Sequence, residues 1–571
     1  MSSEPRLRRW APLAGLIAGS VAAITAAIEV LRLGLWKRFS IDEFQYAHAA
    51  WLVSHGKLPY RDFFEFHFPL PYLLYSPFIG DSPGTIAHLR WVMLAFFALT
   101  SVALYRINRH YGAALALSAP IFAGTSTPFA FFATEIRPDA VAFALFISAL
   151  SLLYPAPASR RRALAAGVLW ALSLFATQKA IIYSTPFGLV LLVNAVRARD
   201  KSRLFGEWLP LLFGFAGALL VIAGYFLVTH SGAAWLEQTL VWAYYHEHHY
   251  PGFSWTVYGV PALESAWLLF GLGGLGALET AFGLTRSAAP LREPDLPLLL
   301  VLASSLFSFA FARAPFPYAL VPGLGMLCAF VPRGLSLLLA LLRRVRLPEA
   351  AQIAVGGLVL LGLWQLGPSA GLAEADKKLK PDNGYQYWVL GELARLTNVT
   401  DAVYDNSGSF VARPHVGFRF YTSALDRTAE AATLPITVPR ALREQGCTAL
   451  LLDARFRGLP PSLIRFLTQH YQPYDADLWL WGERFTATPT PVTFEAVREA
   501  DYFVEPDTVA TGGGLLIDER AVSSPVFHLS RGEHRLQYAG SARQFSVLWL
   551  PRDGQRYRPK YGQRAEFSSI F

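Results

Sequence analysis

The sequence predicts an α-helical, polytopic membrane protein of about eleven transmembrane helices, followed by an external C-terminal part that is first α/β and then β-rich. Three observations carry this expectation. The 571 residues are 53% hydrophobic and 16% charged, and the mean hydropathy is +0.33. That is more apolar than an average soluble chain and more polar than an all-membrane one. Apolar runs of crossing length recur through residues 1–370, with basic residues clustered in alternate connections. From about Asp376 onward the apolar runs shorten, and charges and turn residues appear throughout.

Arg6, Arg8 and Arg9 precede the first run, residues 11–35, which exceeds the ~20 residues of one crossing. No signal-peptide cleavage pattern follows, so this run is expected to remain as an anchor. Further runs begin near Ile86, Gly112, Pro138, Ala163, Ala180, Leu209, Pro261, Pro297, Phe316 and Ala351. If all of them span, the connections carrying Arg106/Arg109, Arg160/Arg161/Arg162, Arg197/Arg199/Lys201/Arg203, Arg286/Arg292 and Arg343/Arg344/Arg346 share the N-terminal side. The positive-inside rule then makes the N-terminus cytoplasmic and the C-terminal part external. The same distribution explains the net charge of +9 without nucleic acid as a partner. Cys328 and Cys447 form neither a metal nor a disulfide framework.

The expected division is a membrane domain over residues 1–370, a small α/β domain over 371–487 and a β-rich domain over 488–571. Residues 385–396 read as an amphipathic helix, 402–404 as a strand and 439–444 as a helix. The TALLLD run at 448–453 has buried-strand length, a helix follows near 461–470, and 478–481 reads as a further strand. Alternating helix and strand gives the α/β expectation. Turn signals at 512–514, Arg531-Gly532 and Asp553-Gly554 give the β-rich one.

The chemistry concentrates in the first external loop, residues 36–85. Asp42, Glu43, Asp62, Glu65, His48, His55, His67, Lys57 and Arg61 crowd between two membrane-length runs. Polar groups at this density beside a bilayer are costly unless they face water, a cavity or a substrate. Ser40-Ile41-Asp42-Glu43 also fits a helix capping box, with Asp42 in the dipole-favoured first turn. A second acidic site, Thr134-Glu135-Ile136-Arg137-Pro138-Asp139, ends the third run, where Pro138 and Asp139 equally suit a helix start. Gln178-Lys179 lies at the mouth of two short runs, and Lys179 alone fits a snorkelling lysine. His246-Glu247-His248-His249 follows Trp242, Tyr244 and Tyr245. Gly273-Gly274 and residues 512–514 lack the flanks of phosphate-cradling loops, and no Walker loop, nucleophile elbow or H-E-x-x-H is present.

Asp42-Glu43, Tyr46 three residues later, Gly56, Pro59-Tyr60-Arg61-Asp62-Phe63 and Pro69-Leu70-x-Tyr72 together resemble the first external loop of polyprenyl-phosphate-sugar glycosyltransferases. That GT-C group includes the family 39 protein O-mannosyltransferases and bacterial relatives that modify lipid A or cell-surface glycans. The resemblance covers the first half of the chain best and not the soluble part. It implies an external active site, a polyprenyl-phosphate-linked sugar as donor, a glycan, lipid or protein as acceptor, and Asp42 as the base toward the acceptor. Glu43 and Asp139 stand beside it as further catalytic candidates. Relatives carry Lys-Pro-Pro after a carboxylate where this chain has Glu65-Phe66-His67-Phe68-Pro69, so His67 is the substitute for the missing Lys. Lys179, Arg313, Arg137 and Arg61 complete the candidate phosphate ligands. Glu65, His246 and His248 are candidate ligands for a divalent metal ion, the one cofactor considered. The bacterial inner membrane is the expected location. A transporter or flippase of lipid-linked sugars, or a non-catalytic scaffold of the same fold, remains the alternative.

Overall fold

The computed structural model describes residues 4–154, 158–197, 204–249, 255–287, 295–313, 316–345, 348–422, 430–487, 490–512, 514–540, 542–563 and 567. Each of the eleven apolar runs lies on a helix. Six helical stretches are long and apolar enough to cross a bilayer: Gly15–Trp36, Pro83–Tyr111, Phe205–Val228, Trp267–Arg286, Pro317–Arg344 and Ala351–Lys378. A pair bent by 72°, Ala113–Thr125 and Thr127–Ala133, makes a seventh if counted as one span. The chain is thus an integral membrane protein, and among the described residues these criteria account for six or seven of the eleven expected spans. The shortfall has a geometric cause. Arg160–Ala176 and Ile181–Arg197 have 17 residues each, about 25 Å at 1.5 Å per residue, short of a ~30 Å hydrocarbon core.

The bend serves the site. Ser126 is extended at φ −75°, ψ 99°, and Pro128 at the start of the next helix has no N–H to continue the ladder. The break is held by Thr127 Oγ1, which donates to Gly371 O at 2.7 Å. A re-satisfied break of this kind is how irregular backbone survives at membrane depth. It delivers Thr134–Asp139 to the end of the bundle that meets the first loop, where Ile136 N reaches Glu43 and Arg137 reaches Asp42. That loop forms the Ile41–Ser54 helix, which is buried along most of its length.

The C-terminal part begins with the Gly384–Leu396 helix. Its strands, numbered in chain order, are β1 (Val403–Tyr404), β2 (Ala449–Leu451), β3 (Tyr471–Pro473), β4 (Leu478–Thr486), β5 (Val492–Ala496), β6 (Ala500–Glu505), β7 (Leu515–Ile517), β8 (Arg520–Ala521), β9 (Val526–Leu529), β10 (Gly532–Tyr538) and β11 (Gln544–Trp549). One sheet runs β1-β2-β4-β11-β6-β9 with β3 also on β4, and a second runs β5-β10-β7-β8. Among the strands of the described residues only β1 and β2 pair in parallel, with Val403 opposite Ala449. The Leu434–Glu444 and Pro461–His470 helices complete the α/β part. Strand β4 pairs with β2 through Leu478–Leu480 and with β11 through Gly482–Thr486. Strands from either side of residue 487 therefore share one sheet, which the expected boundary there would have divided.

The C-terminal part docks on the first loop. Gln386 receives the Phe39 N–H at 2.7 Å and donates to Phe39 O at 2.9 Å. Phe64 N donates to Phe418 O at 2.9 Å, and the Phe420 ring meets His48 edge-on at 4.6 Å.

Candidate active site

Asp42 and Glu43 are adjacent in sequence and opposite in use. Glu43 is fully buried and its two oxygens are filled from four directions. Arg90 donates Nε at 2.5 Å and Nη2 at 2.6 Å, Ile136 N donates at 2.9 Å, and Ser40 N at 3.0 Å. Arg90 Nη1 is itself held by Gly34 O at 2.9 Å. Glu43 therefore ties three helical stretches together and faces no opening, which departs from its expected place among the catalytic candidates.

Asp42 keeps 19% of its side chain exposed. Its Oδ2 accepts Arg137 Nη1 at 2.9 Å, and its Oδ1 accepts Arg455 Nη2 at 3.1 Å. Burial alone would raise its pKa, but the two guanidinium groups outweigh that and hold the carboxyl below its usual range. One helical turn on, Tyr46 OH lies 3.3 Å from His67 Nε2, and His67 Nδ1 is 2.7 Å from Glu65 Oε1. Burial and the Asp42 charge push the Tyr46 phenol far above its ordinary value, so it stays neutral.

Arg137 links this centre to the second acidic site. Its Nε bonds Glu135 and its guanidinium lies 4.2 Å from the centre of the Tyr318 ring. Among the described residues its Nη2 has no hydrogen-bond partner. Lys179 Nζ lies 3.6 Å from Asp139 Oδ2 and 4.9 Å from the same Tyr318 ring. Asp42, Arg137, His67, Asp139 and Lys179 thus form one connected group. Two openings flank it. A small groove is lined by Asp139, Lys179, Ile182, Tyr183, Tyr318 and Pro322. A cavity of about 560 Å³ is lined by Arg38, Phe131, Phe132, Glu135, Arg137, Pro317, Lys377, Lys378 and Lys380.

The other candidates fall elsewhere. Arg61 is half-exposed and pairs with its neighbour Asp62 at 3.0 Å. Arg313 is exposed and donates to the main-chain carbonyl of His248, so these two candidates meet each other. His248 Nδ1 is bonded to Tyr244 O at 2.8 Å, one turn back on its own helix. Glu65 is fully buried against His67, while the side chain of His246 lies outside the described residues. Among the described residues no three His, Cys, Asp or Glu side chains converge as metal ligands.

Sequence reasoning missed Arg455 and Tyr318. Tyr318 stands five residues after the candidate Arg313, at the start of the run beginning near Phe316. Arg455 follows the TALLLD strand by two residues, at the carboxyl end of a strand, where α/β sheets commonly place ligand-binding groups.

Asp42, largely buried between two guanidinium groups, thus sits between a bundle of apolar helices and the C-terminal part of the chain. Among solved structures, ArnT from Cupriavidus metallidurans bound to undecaprenyl phosphate matches over 81% of this chain and 97% of its own, with a TM-score of 0.55 and 13% identity. The oligosaccharyltransferase of Archaeoglobus fulgidus in its apo form matches over 82% of this chain and 73% of its own, with a TM-score of 0.51 and 12% identity. The model of the Alg9-like mannosyltransferase family matches residues 59–227. No curated protein matches the chain. The chain has the GT-C fold that the first external loop resembles.

Proposed function

We propose that the protein is an inverting glycosyltransferase that moves a monosaccharide from a polyprenyl-phosphate donor to an acceptor on the external face of a bacterial inner membrane, with Asp42 as general base. The supporting observation is the state of Asp42: solvent-reachable, yet kept ionised by Arg137 and Arg455. The match of residues 59–227 to a mannosyltransferase family and the undecaprenyl phosphate of the similar ArnT structure support the donor class.

The chemistry asks for one base. The acceptor hydroxyl gives its proton to Asp42 as its oxygen attacks the anomeric carbon, and the carbon–oxygen bond to phosphate breaks on the opposite face. The departing polyprenyl phosphate carries its own negative charge and needs no proton, only cations where that charge develops. Arg137, whose Nη2 has no partner among the described residues, and Lys179 supply them, and Asp139 orients Lys179. The groove beside Lys179 takes the donor phosphate, and the larger cavity on the other side of Arg137 admits the acceptor.

The test is sugar transfer or release from defined polyprenyl-phosphate monosaccharides in proteoliposomes. Wild type turns over one or more donors, and Asp42→Asn loses about 100-fold or more in kcat at normal expression. A chelator arm decides whether a metal takes part. Full activity in Asp42→Asn ends its assignment as base, and absence of both binding and turnover with every donor ends the glycosyltransferase reading.

A further inference from the structure

We propose that Arg455 is a positioning residue for the Asp42 carboxylate, so that the C-terminal domain completes the catalytic centre. This rests on the glycosyl-transfer reading above.

The contact joins residues 413 positions apart, and its cation comes from outside the membrane bundle. Arg137 on Oδ2 alone leaves the carboxylate free to turn about its last side-chain bond. Arg455 on Oδ1 removes that freedom and fixes the plane of the group. Each carboxylate oxygen has a second lone pair, so the acceptor hydroxyl still finds an accepting site.

The loop that presents Arg455 is built to hold it. Asp453 Oδ1 accepts the Arg455 N–H at 2.8 Å, while its Oδ2 takes Asn406 N and Ser407 Oγ at 2.8 Å each. Asp405 in turn collects the N–H groups of Ser407, Ser409 and Phe410. An exposed ion pair would be worth little. Here the two side chains are only 15% and 19% exposed, and the anchoring loop has been ordered in advance, which is the condition under which geometry governs rate. The charged and titratable groups facing Asp42 are Arg137 from the turn before Pro138, Arg455, His67 from the first loop, and Tyr46 of its own helix.

The test uses the full chain in proteoliposomes with the undecaprenyl-phosphate monosaccharide that wild type turns over, across pH. Arg455→Ala lowers kcat about 100-fold, with the donor KM within about twofold. The acid limb of kcat/KM moves to higher pH, because a carboxylate that loses a cation binds its proton more tightly. Arg455→Lys restores the position of that limb and part of kcat. A role confined to holding the domain in place would leave the limb unmoved. Should Arg455→Ala fail to fold, Arg455→Lys and Arg455→Gln decide, Gln keeping the bulk without the charge. Wild-type kcat and an unmoved limb in Arg455→Ala, or equal losses in all variants with an unmoved limb, overturn the proposal. If Asp42→Asn is inactive while Arg455→Ala is not, this proposal alone fails. If wild type turns over no donor, the glycosyltransferase reading fails and takes this one with it.

Discussion

At the residue scale, the neighbouring pair Asp42 and Glu43 shows what one sequence can and cannot reveal. Both were legible as unusual, because two acids beside a bilayer need a reason. Which acid was structural depended on Arg90, a residue 47 positions away that no local pattern connects to the loop. The capping pattern was right in one half: Glu43 does reach back to Ser40 N. The two substitutions should therefore separate cleanly. Glu43→Ala leaves Arg90 buried without its partner and is expected to cost about 3–5 kcal/mol. It should appear as loss of folded protein in detergent or a lowered Tm. Asp42→Asn, which keeps the size and one acceptor oxygen, should lower Tm less than Glu43→Ala while removing activity. Glu43 is also held below the usual carboxylate range, where burial is outweighed by Arg90. Its contribution is thus present above the unfolded value of about 4.3 and is lost as pH falls through the lower folded one. Thermal unfolding of Glu43→Gln should accordingly converge toward wild type at strongly acidic pH.

At the element scale, periodicity and turn signals placed the helices and most strands, since each depends on nearby residues. What they could not place were contacts between elements. Gly273-Gly274 was legible only as a failed phosphate loop, yet the glycines of this helix carry its packing. A Cβ on Gly276 would come within 2.1 Å of Phe330 O, and one on Gly334 within 2.2 Å of Leu272 O. The Trp267–Arg286 and Val321–Arg344 helices approach backbone to backbone at these points, as small residues allow within membranes. Gly276→Val should destabilise the bundle by about 1–3 kcal/mol through overpacking, read as a lower Tm in detergent. The loop after β2 offers a second element-scale prediction. Burial and the neighbouring Asp405 push Asp453 up to about 6, and burial pushes Asp477 up to about 7 despite its bond from Tyr385. Both folded values exceed the ~3.9 of an unfolded aspartate, so these groups stabilise the fold below that value, and the contribution is lost as pH rises through 6 to 7. Asp477→Asn, which leaves the loop held by Asp453 intact, should therefore gain Tm relative to wild type at pH 7, and the gain should shrink by pH 5. A difference that stays constant over that range would mean that the Asp477 carboxyl is ionised throughout.

At the scale of the whole molecule, composition announced a membrane part followed by a more polar C-terminal part, and the first loop stood out by its density of charge. How the parts join was not legible, because the joining groups are single side chains scattered among otherwise ordinary residues. Gln386 is the clearest of these. It closes both hydrogen-bonding groups of Phe39, three residues before Asp42, and donates as well to Phe567 O at 2.7 Å, near the end of the chain. One buried amide thus ties the first loop, the external domain and the chain terminus together. Gln386→Leu removes three hydrogen bonds while keeping most of the bulk. It leaves buried main-chain groups without partners, at about 1–3 kcal/mol for each group that water does not reach. Gln386 does not touch Asp42, so any loss of activity must pass through the seating of the domain that carries Arg455. Gln386→Leu should then lower kcat and speed amide hydrogen exchange at residues 37–40 and 453–456, with donor binding retained. Unchanged exchange at those two segments alongside a large fall in kcat would place the effect elsewhere, and unchanged kcat with faster exchange would show that the domain's seating does not govern the reaction.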